Sequence, residues 1–281
     1  MKKVNIIGVP EHFNLPWHLA IEEGVFEERG IDLQWTDIPE GTGKMCQLLQ
    51  NEETDLAIIL TEGLVKSITE GNAVKIVQEY IASPLLWGIH VGAKSPYKSV
   101  SDLKNTKAAI SRYGSGSHLM AYVNAQREGW ETNELHFEVI NNLDGAVEAL
   151  TNGQADYFMW EHFTTKPLVD KGTFRRLGDC PTPWPCFVIA ATDKFIKENK
   201  SILKHILEII NIYTTELKQI PSIDRTLSNL YEQQLEDIQE WLSLTRWSQS
   251  QLGSQTLEKV QDTLIDLKLI DKKLGYTEIV K

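Results

Sequence analysis

The stretch Lys107–Gly129, KAAISRYGSGSHLMAYVNAQREG, carries the reading of this chain. A short apolar strand (Ala108, Ala109, Ile110) runs into Arg112-Tyr113-Gly114-Ser115-Gly116-Ser117, and an amphipathic helix begins near Ser117 or His118. Glycine lets a backbone approach a ligand closely, and small hydroxyls donate hydrogen bonds without crowding it. The first turn of a helix adds unpaired N–H groups and the positive end of its dipole. Strand, Gly/Ser turn and helix together predict an α/β unit whose turn suits an anionic or polar head group. The same residues also serve turn geometry alone, and the order of the surrounding elements decides between the two.

Working outward, strand–loop–helix units recur. Lys3 to Val9 reads as a first strand, Pro10 to Pro16 as a loop, and Trp17 to Glu28 as a helix stopped by Gly30. Ile31 to Ile38 alternates as a second strand. Glu40-Gly41-Thr42-Gly43 turns into a helix over Lys44 to Asn51, and Asp55 to Leu60 is the near-continuous apolar run of a strand covered on both faces. Thr61-Glu62-Gly63 opens another helix, and Lys75 to Tyr80 makes a further strand. After a strand over Leu85 to Val91 a second set begins, with strands at Ala108, Phe137 to Ile140, Asp156 to Trp160, Arg175 to Leu177 and Phe187 to Ala191. From Asp193 the pattern is helical: one helix toward Ile220, one capped by Ser222 with Ile223, Leu227, Leu230, Leu235, Ile238 and Trp241 on one face, and a last one from Ser254. Alternating strands and helices predict largely parallel α/β sheets.

A length of 281 residues suits about two domains. With 42% hydrophobic and 24% charged residues the composition is that of a soluble globular protein. A net charge of −11 without a basic stripe argues against a nucleic-acid partner. No apolar run approaches the length of a membrane span, so no membrane insertion is expected. Behind Met1-Lys2-Lys3 the apolar run ends at Pro10, too soon for a secretory leader, and the expected location is the cytoplasm; the periplasm is the alternative if a leader has been removed. The three cysteines, Cys46, Cys180 and Cys186, lack zinc spacing. Cys180 and Cys186 either pair across the Pro-rich turn or stay as buried thiols, the reading we adopt.

Several chemistries lack their motifs. Gly41-Thr42-Gly43-Lys44 has neither the glycine spacing nor the following hydroxyl of a phosphate-binding P-loop. Gly114-Ser115-Gly116 meets Leu119 where a dinucleotide fingerprint has its third glycine. Nucleophile elbows, HExxH, CxxC and EF-hand loops are absent, and the seven histidines form no cluster by spacing. No metal, cofactor or catalytic set is therefore expected.

The order of elements resembles the type 2 periplasmic-binding-protein fold, in the branch of nitrate, sulfonate and thiamine-pyrimidine solute-binding proteins. His12-Phe13-Asn14-Leu15-Pro16 through Gly24-Val25-Phe26 to Gly30-Ile31-Asp32-Leu33 resembles that branch's opening loop, helix and strand. Leu48 to Ile59 resembles its helix and DLA strand, and Gly153-Gln154-Ala155-Asp156-Tyr157 its G-x-x-D-A segment. Ser99-Val100-Ser101-Asp102-Leu103-Lys104 resembles its entry to the second domain, with Asn105-Thr106 replacing the usual glycine. Met159-Trp160-Glu161 and Cys180 to Cys186 also resemble a cytosolic subgroup of bacteria and fungi.

The resemblance implies two Rossmann-like domains joined by two crossovers with extra C-terminal helices, domain I being 1–88 and 188–281 and domain II 89–187. It also implies a small-molecule ligand closed between them and an ABC-transporter permease as partner. Ligands in such folds sit at the carboxyl ends of strands. That rule selects His12, Phe13, Asn14, Trp17, Gly41, Thr42, Gly43, Thr61, Glu62 and Trp87. It also selects Arg112, Gly114, Ser115, Gly116, Ser117, His118, Trp160 and Glu161, and Trp184 lies beside a crossover. Arg112 is the expected counter-ion, and at least one of Trp87, Trp160 and Trp184 is expected to stack on the ligand. His118 either contacts the ligand or only packs, and Glu161 is either a ligand acceptor or a latch between domains. The function expected is non-enzymatic binding of a small anionic or heterocyclic solute. Two alternatives stand beside it: an enzyme like the fungal thiamine-pyrimidine synthases, whose pyridoxal phosphate and cysteine-rich segment have no counterpart motif here, and a ligand-sensing regulator.

Overall fold

Residue runs such as Leu56–Leu60 and Phe187–Thr192 are buried at every position, as strands covered on both faces must be. The computed structural model describes residues 1–281 and gathers them into two units, Met1–Ser83 with Trp184–Lys281 and Pro84–Pro183. The first unit begins with β1 (Lys2–Gly8), α1 (Leu15–Glu22), α2 (Val25–Glu28), β2 (Ile31–Asp37), α3 (Thr42–Gln50), β3 (Leu56–Leu60), α4 (Thr61–Thr69) and β4 (Val74–Ile81). The second holds β5 (Leu86–Gly92), β6 (Lys107–Ile110), α5 (Gly116–Glu128), β7 (His136–Val139), α6 (Leu143–Asn152), β8 (Tyr157–Glu161), α7 (Lys166–Asp170) and β9 (Phe174–Pro181). The chain then completes the first unit with β10 (Phe187–Thr192), α8 (Asp193–Glu198), α9 (Lys200–Glu216), α10 (Ile223–Leu230), α11 (Leu235–Leu244), α12 (Ser254–Asp266) and α13 (Tyr276–Ile279).

Each unit carries one five-stranded sheet, ordered β2-β1-β3-β10-β4 in the first and β7-β6-β8-β5-β9 in the second. The sheets are mixed, which corrects the expectation of largely parallel ones. In the first, β10 runs antiparallel to both β3 and β4, with Ile189 opposite Ile58 and Gln78. In the second, β5 runs antiparallel to both β8 and β9, with Ile89 opposite Met159 and Gly178. The reason is the way the chain changes units. A crossover helix returns a strand parallel to its predecessor, whereas β5 and β10 are the strands by which the chain enters or re-enters a unit. No helix of the chain is long and apolar enough to cross a membrane.

Several long helices expected from periodicity are broken. Gly24 at φ 73° separates α1 from α2, and Asn199, at φ −128° and ψ 38°, separates α8 from α9. Residues 231–234 divide α10 from α11, so the six apolar residues assigned to one face do not share one helix. Leu227, Ile238 and Trp241 are buried, but Leu230 is 58% exposed. The short strand expected at Arg175–Leu177 is the eight-residue β9. Two helix caps lie one residue before those expected: the Thr192 hydroxyl, not Asp193, accepts the Phe195 N–H at 3.1 Å, and Gly253 precedes Ser254 in the cap position of α12, whereas Ser222 holds the cap position of α10. None of Cys46, Cys180 and Cys186 forms a disulfide.

Close packing in the second unit depends on glycines, most tightly on Gly145. The Asn142 side chain accepts the Gly145 N–H at 2.9 Å and caps α6, and a Cβ on Gly145 would lie 2.0 Å from the Ile140 carbonyl oxygen. Gly145→Ala should therefore lower stability by about 1–3 kcal/mol despite alanine's better helix propensity, read as a lower urea midpoint. Gly253→Ala, whose nearest neighbour would be 3.7 Å away, should be close to neutral.

Candidate functional site

In the first unit, the ends of β1, β2 and β3 and the start of β10 lie at one edge of the sheet. Here the returning segment is stitched to the start of α4. The Thr61 hydroxyl donates to the Pro185 carbonyl at 2.6 Å, and the Thr61 N–H donates to the Cys186 carbonyl at 3.0 Å. The Trp184 indole N–H donates to Glu62 Oε2 at 2.8 Å. Glu62 is 1% exposed and its other oxygen, Oε1, has no hydrogen-bond partner. Burial pushes its pKa up to about 7, against the opposing pull of hydrogen bonds from its own backbone and from Trp184. A buried carboxyl poised near neutrality offers a donor when protonated and an acceptor when ionised.

The first loop packs against the C-terminal helices. The His12 ring lies 4.5 Å from Tyr231 and 4.9 Å from Trp241, centroid to centroid. It is 2% exposed, and burial lowers its pKa to about 4 against a raising hydrogen bond from the Gln233 side chain, so it is neutral at pH 7. The Phe13 ring packs on Phe187 and Trp241, and its carbonyl accepts the Tyr80 hydroxyl at 2.6 Å. Asn14 Nδ2 donates to the Val9 carbonyl at 2.7 Å, while its Oδ1 is buried without a partner. Trp17 is fully buried and stacked on Phe26. Phe13 and Trp17 are thus core residues of this unit. Gly41, at φ 76°, precedes Thr42 at the start of α3, and Thr42 Cγ2 fills the space beside Gly63 where a Cβ would come within 2.3 Å. Thr42 therefore sits directly against the first turn of α4.

In the second unit, β6 ends at Ile110 and the turn to α5 is organised by serines. Ser117 Oγ accepts the Ser111 N–H at 3.0 Å and lies 3.0 Å from Ser115 Oγ. Ser115 caps the helix by accepting the His118 N–H at 3.3 Å, and Gly114 takes φ 79°. Gly116 and Ser117 open the helix, so their N–H groups precede the first intrahelical acceptors. His118 Nδ1 accepts the Gly114 N–H at 3.1 Å, and its ring is enclosed by Tyr113, Tyr122 and Phe137 at centroid distances of 5.3, 5.1 and 4.8 Å. It shapes the turn. Arg112 is half-buried beside these serines in sequence.

At the end of β8, Glu161 is 4% exposed, and burial raises its pKa. Its Oε2 accepts the Thr164 N–H at 2.6 Å and the Thr164 hydroxyl at 2.8 Å, so it closes its own loop. Trp87 lies opposite Glu161 in the β5–β8 register, 6.3 Å edge-on from Trp160, with its indole N–H buried and without a partner.

Sequence reasoning missed several participants. Ser111 is the strand-end partner of Ser117, and its place after Ile110 was the available signal. His162 Nδ1 lies 2.7 Å from Asp179 Oδ1. Burial opposes the Asp179 charge, yet His162, Arg176 and His90 outweigh it and hold its pKa below the usual value. Tyr231, Gln233 and Trp241, which enclose His12, come from remote helices and had no local signal.

The pattern of the Ca3427-like PBP family matches residues 87–180, within the second unit and less than half of the chain. No curated protein matches the chain in sequence. Among solved structures, the Candida albicans CA3427 gene product, described as having the generic periplasmic binding protein fold, superposes with a TM-score of 0.90 at 24% identity, covering 100% of this chain and 96% of that one. The alkanesulfonate-binding protein SsuA from Xanthomonas axonopodis pv. citri, bound to MOPS, gives 0.83 at 16% identity over 100% and 98%. The periplasmic nitrate-binding protein NrtA from Synechocystis PCC 6803 gives 0.64 at 15% identity over 84% and 69%. The chain has the type 2 periplasmic-binding-protein fold.

Two buried groups give pH signatures of opposite sign. Glu62 has a higher pKa folded than unfolded, so the folded chain keeps a proton that the unfolded chain releases, and stability is lost as pH rises from about 4.5 to about 7. Glu62→Gln should therefore gain on the unsubstituted chain by up to about 3 kcal/mol between pH 5 and pH 8, in urea unfolding. His12 has a lower pKa folded than unfolded, so its contribution is lost as pH falls from about 6.5 to about 4. His12→Phe, which keeps a ring against Tyr231 and Trp241, should lose less stability than the unsubstituted chain between pH 7 and pH 4.5 in the same assay.

Proposed function

We propose that this chain binds a small organic solute, anionic or heterocyclic, without transforming it, as the solute-binding component of an ABC-type import system or a cytosolic relative of one. The observation that carries this reading is the start of α5. There the hydroxyls of Ser115 and Ser117 and the N–H groups of Gly116 and Ser117 converge at the positive end of a thirteen-residue helix. Such a start stabilises a sulfonate, carboxylate or phosphate with fixed dipoles rather than a mobile charge. Arg112, in the same turn, adds a guanidinium suited to bidentate contact with such a group. In our reading Trp87 and Trp160 supply an apolar wall for the body of the solute, the usual balance in small-molecule sites. The fold itself accommodates oxyanions, since an alkanesulfonate-binding and a nitrate-binding protein share it.

The test starts with native mass spectrometry of the freshly purified chain, to find a retained solute. Titration with alkanesulfonates and aminopyrimidines follows, read by tryptophan fluorescence and melting temperature. At least one compound should raise the Tm by a few degrees, as linkage requires of a ligand selective for the folded state. Arg112→Ala should weaken that compound at least about fivefold, with the far-UV circular dichroism of the free protein retained. Absence of any retained mass and of any shift would overturn the reading. A visible absorbance band from bound pyridoxal phosphate would replace it with the enzyme alternative.

A further inference from the structure

The first unit has a second concavity, a groove of about 720 Å³ between α1 and α10. That volume is in the range of small-molecule sites. Its apolar walls are Leu15 and Leu19, one turn apart on α1, and Leu230 at the end of α10. Leu230 is the anomaly. The other apolar residues of α10, Ile223 and Leu227, are 6% and 0% exposed, whereas Leu230 stands 58% exposed along the groove. The Tyr231 ring forms one end, and its phenol pKa is raised by burial, then by the charges of Asp37 and Glu11, so it stays neutral.

The charge on the groove has one sign. Glu22 and Asp37 line it, and the Trp35 indole N–H holds Asp37 Oδ1 at 2.8 Å, which fixes that carboxylate in place. The lining includes no lysine or arginine. Its single basic side chain, His18, packs 4.9 Å from Trp35, and burial lowers its pKa despite Asp37 and Glu22, so it carries no compensating charge at pH 7. Two carboxylates, a neutral aromatic ring and a leucine-lined floor complement a cation attached to a short hydrocarbon, and they repel the anions suited to the α5 start.

We propose that this groove is a binding site for a small organic ammonium ion with a short apolar tail, the nitrogen between Glu22 and Asp37 and the tail along Leu15, Leu19 and Leu230. The proposal does not depend on the solute reading of the strand ends, because no residue of the groove belongs to that candidate set. It connects to that set through packing: Tyr231 carries His12 on its ring at 4.5 Å.

The test is calorimetric titration of the full chain with n-hexylammonium, n-hexanoate and n-hexanol, alongside the variants Glu22→Gln with Asp37→Asn, and Leu230→Ser. Hexylammonium should bind, more weakly as salt is raised, and both controls should bind at least about tenfold more weakly. The paired carboxylate substitution should reduce hexylammonium affinity at least about tenfold, and Leu230→Ser should reduce it by less. Circular dichroism and Tm identify any variant that has lost its fold, and for such a variant chemical shifts of Leu230 and Tyr231 in the unsubstituted chain replace it as the readout. Equal binding of hexanol would overturn the proposal in favour of unselective apolar adsorption. Undiminished binding to the double carboxylate variant, hexylammonium shifts that bypass Leu230 and Tyr231, or no binding at millimolar hexylammonium would each overturn it outright.

Discussion

The rest of the structure depends on β10. Phe187–Thr192 is buried at all six positions and pairs antiparallel with both β3 and β4, so the sheet of the first unit stays open until the chain has made the whole second unit and come back. Its ladder hydrogen bonds are satisfied by residues more than a hundred positions earlier in the chain. That closure also places Trp184, Pro185 and Cys186 at the edge of the sheet, where they take up Thr61 and Glu62. The pairing that completes the core thereby also fixes Thr61 and Glu62 in place. Non-local pairing of this kind is slow to form, because loop entropy is lost before any contact compensates it.

The polar groups at the strand ends divide by what satisfies them. Glu161 and His118 are committed to their own loops, through Thr164 and through the Gly114 N–H. Their chemistry goes into holding the backbone still, which is what a preorganised site requires. Glu62, Asn14 and Trp87 are different, since each keeps a buried polar atom without a partner. Buried polar atoms are costly unless something pairs with them. A ligand that pairs with any one of these atoms gains affinity from a cost already met during folding. The groove between α1 and α10 follows another logic, with carboxylates at its rim and an exposed leucine along its wall.

Much of the architecture was legible in short-range pattern. The strand, Gly/Ser turn and helix over Lys107–Gly129 are β6, the serine turn and α5, because a three-residue apolar run, a positive-φ glycine and a capping serine are local properties. The Ser99–Lys104 stretch, read as the entry to the second domain, is closed in the same local way, with Asp102 Oδ2 accepting the Ser99 N–H at 2.9 Å. Periodicity failed where a helix continued in pattern but not in backbone, at Gly24, at Asn199 and at residues 231–234. Of the strand-end residues, Phe13 and Trp17 carry the right position and the wrong direction, since only packing against Trp241, Phe187 and Phe26 says that their rings face the core.

The sequence by itself determined the fold, through the order of apolar runs, turn residues and caps, each acting over a few neighbouring residues. It also marked the start of α5 as a place for a polar group, because glycine and serine at a helix start have that capacity wherever the helix lies. Only the tertiary structure decided that β5 and β10 run antiparallel, that His12 lies against Tyr231 and Trp241, and that Glu62 is buried with one oxygen held and one left over. Those outcomes join residues remote in sequence, and neither hydrophobic period nor turn chemistry carries information over such separations. Burial dominates the protonation of His12 and Glu62, and burial is a property of the packed chain.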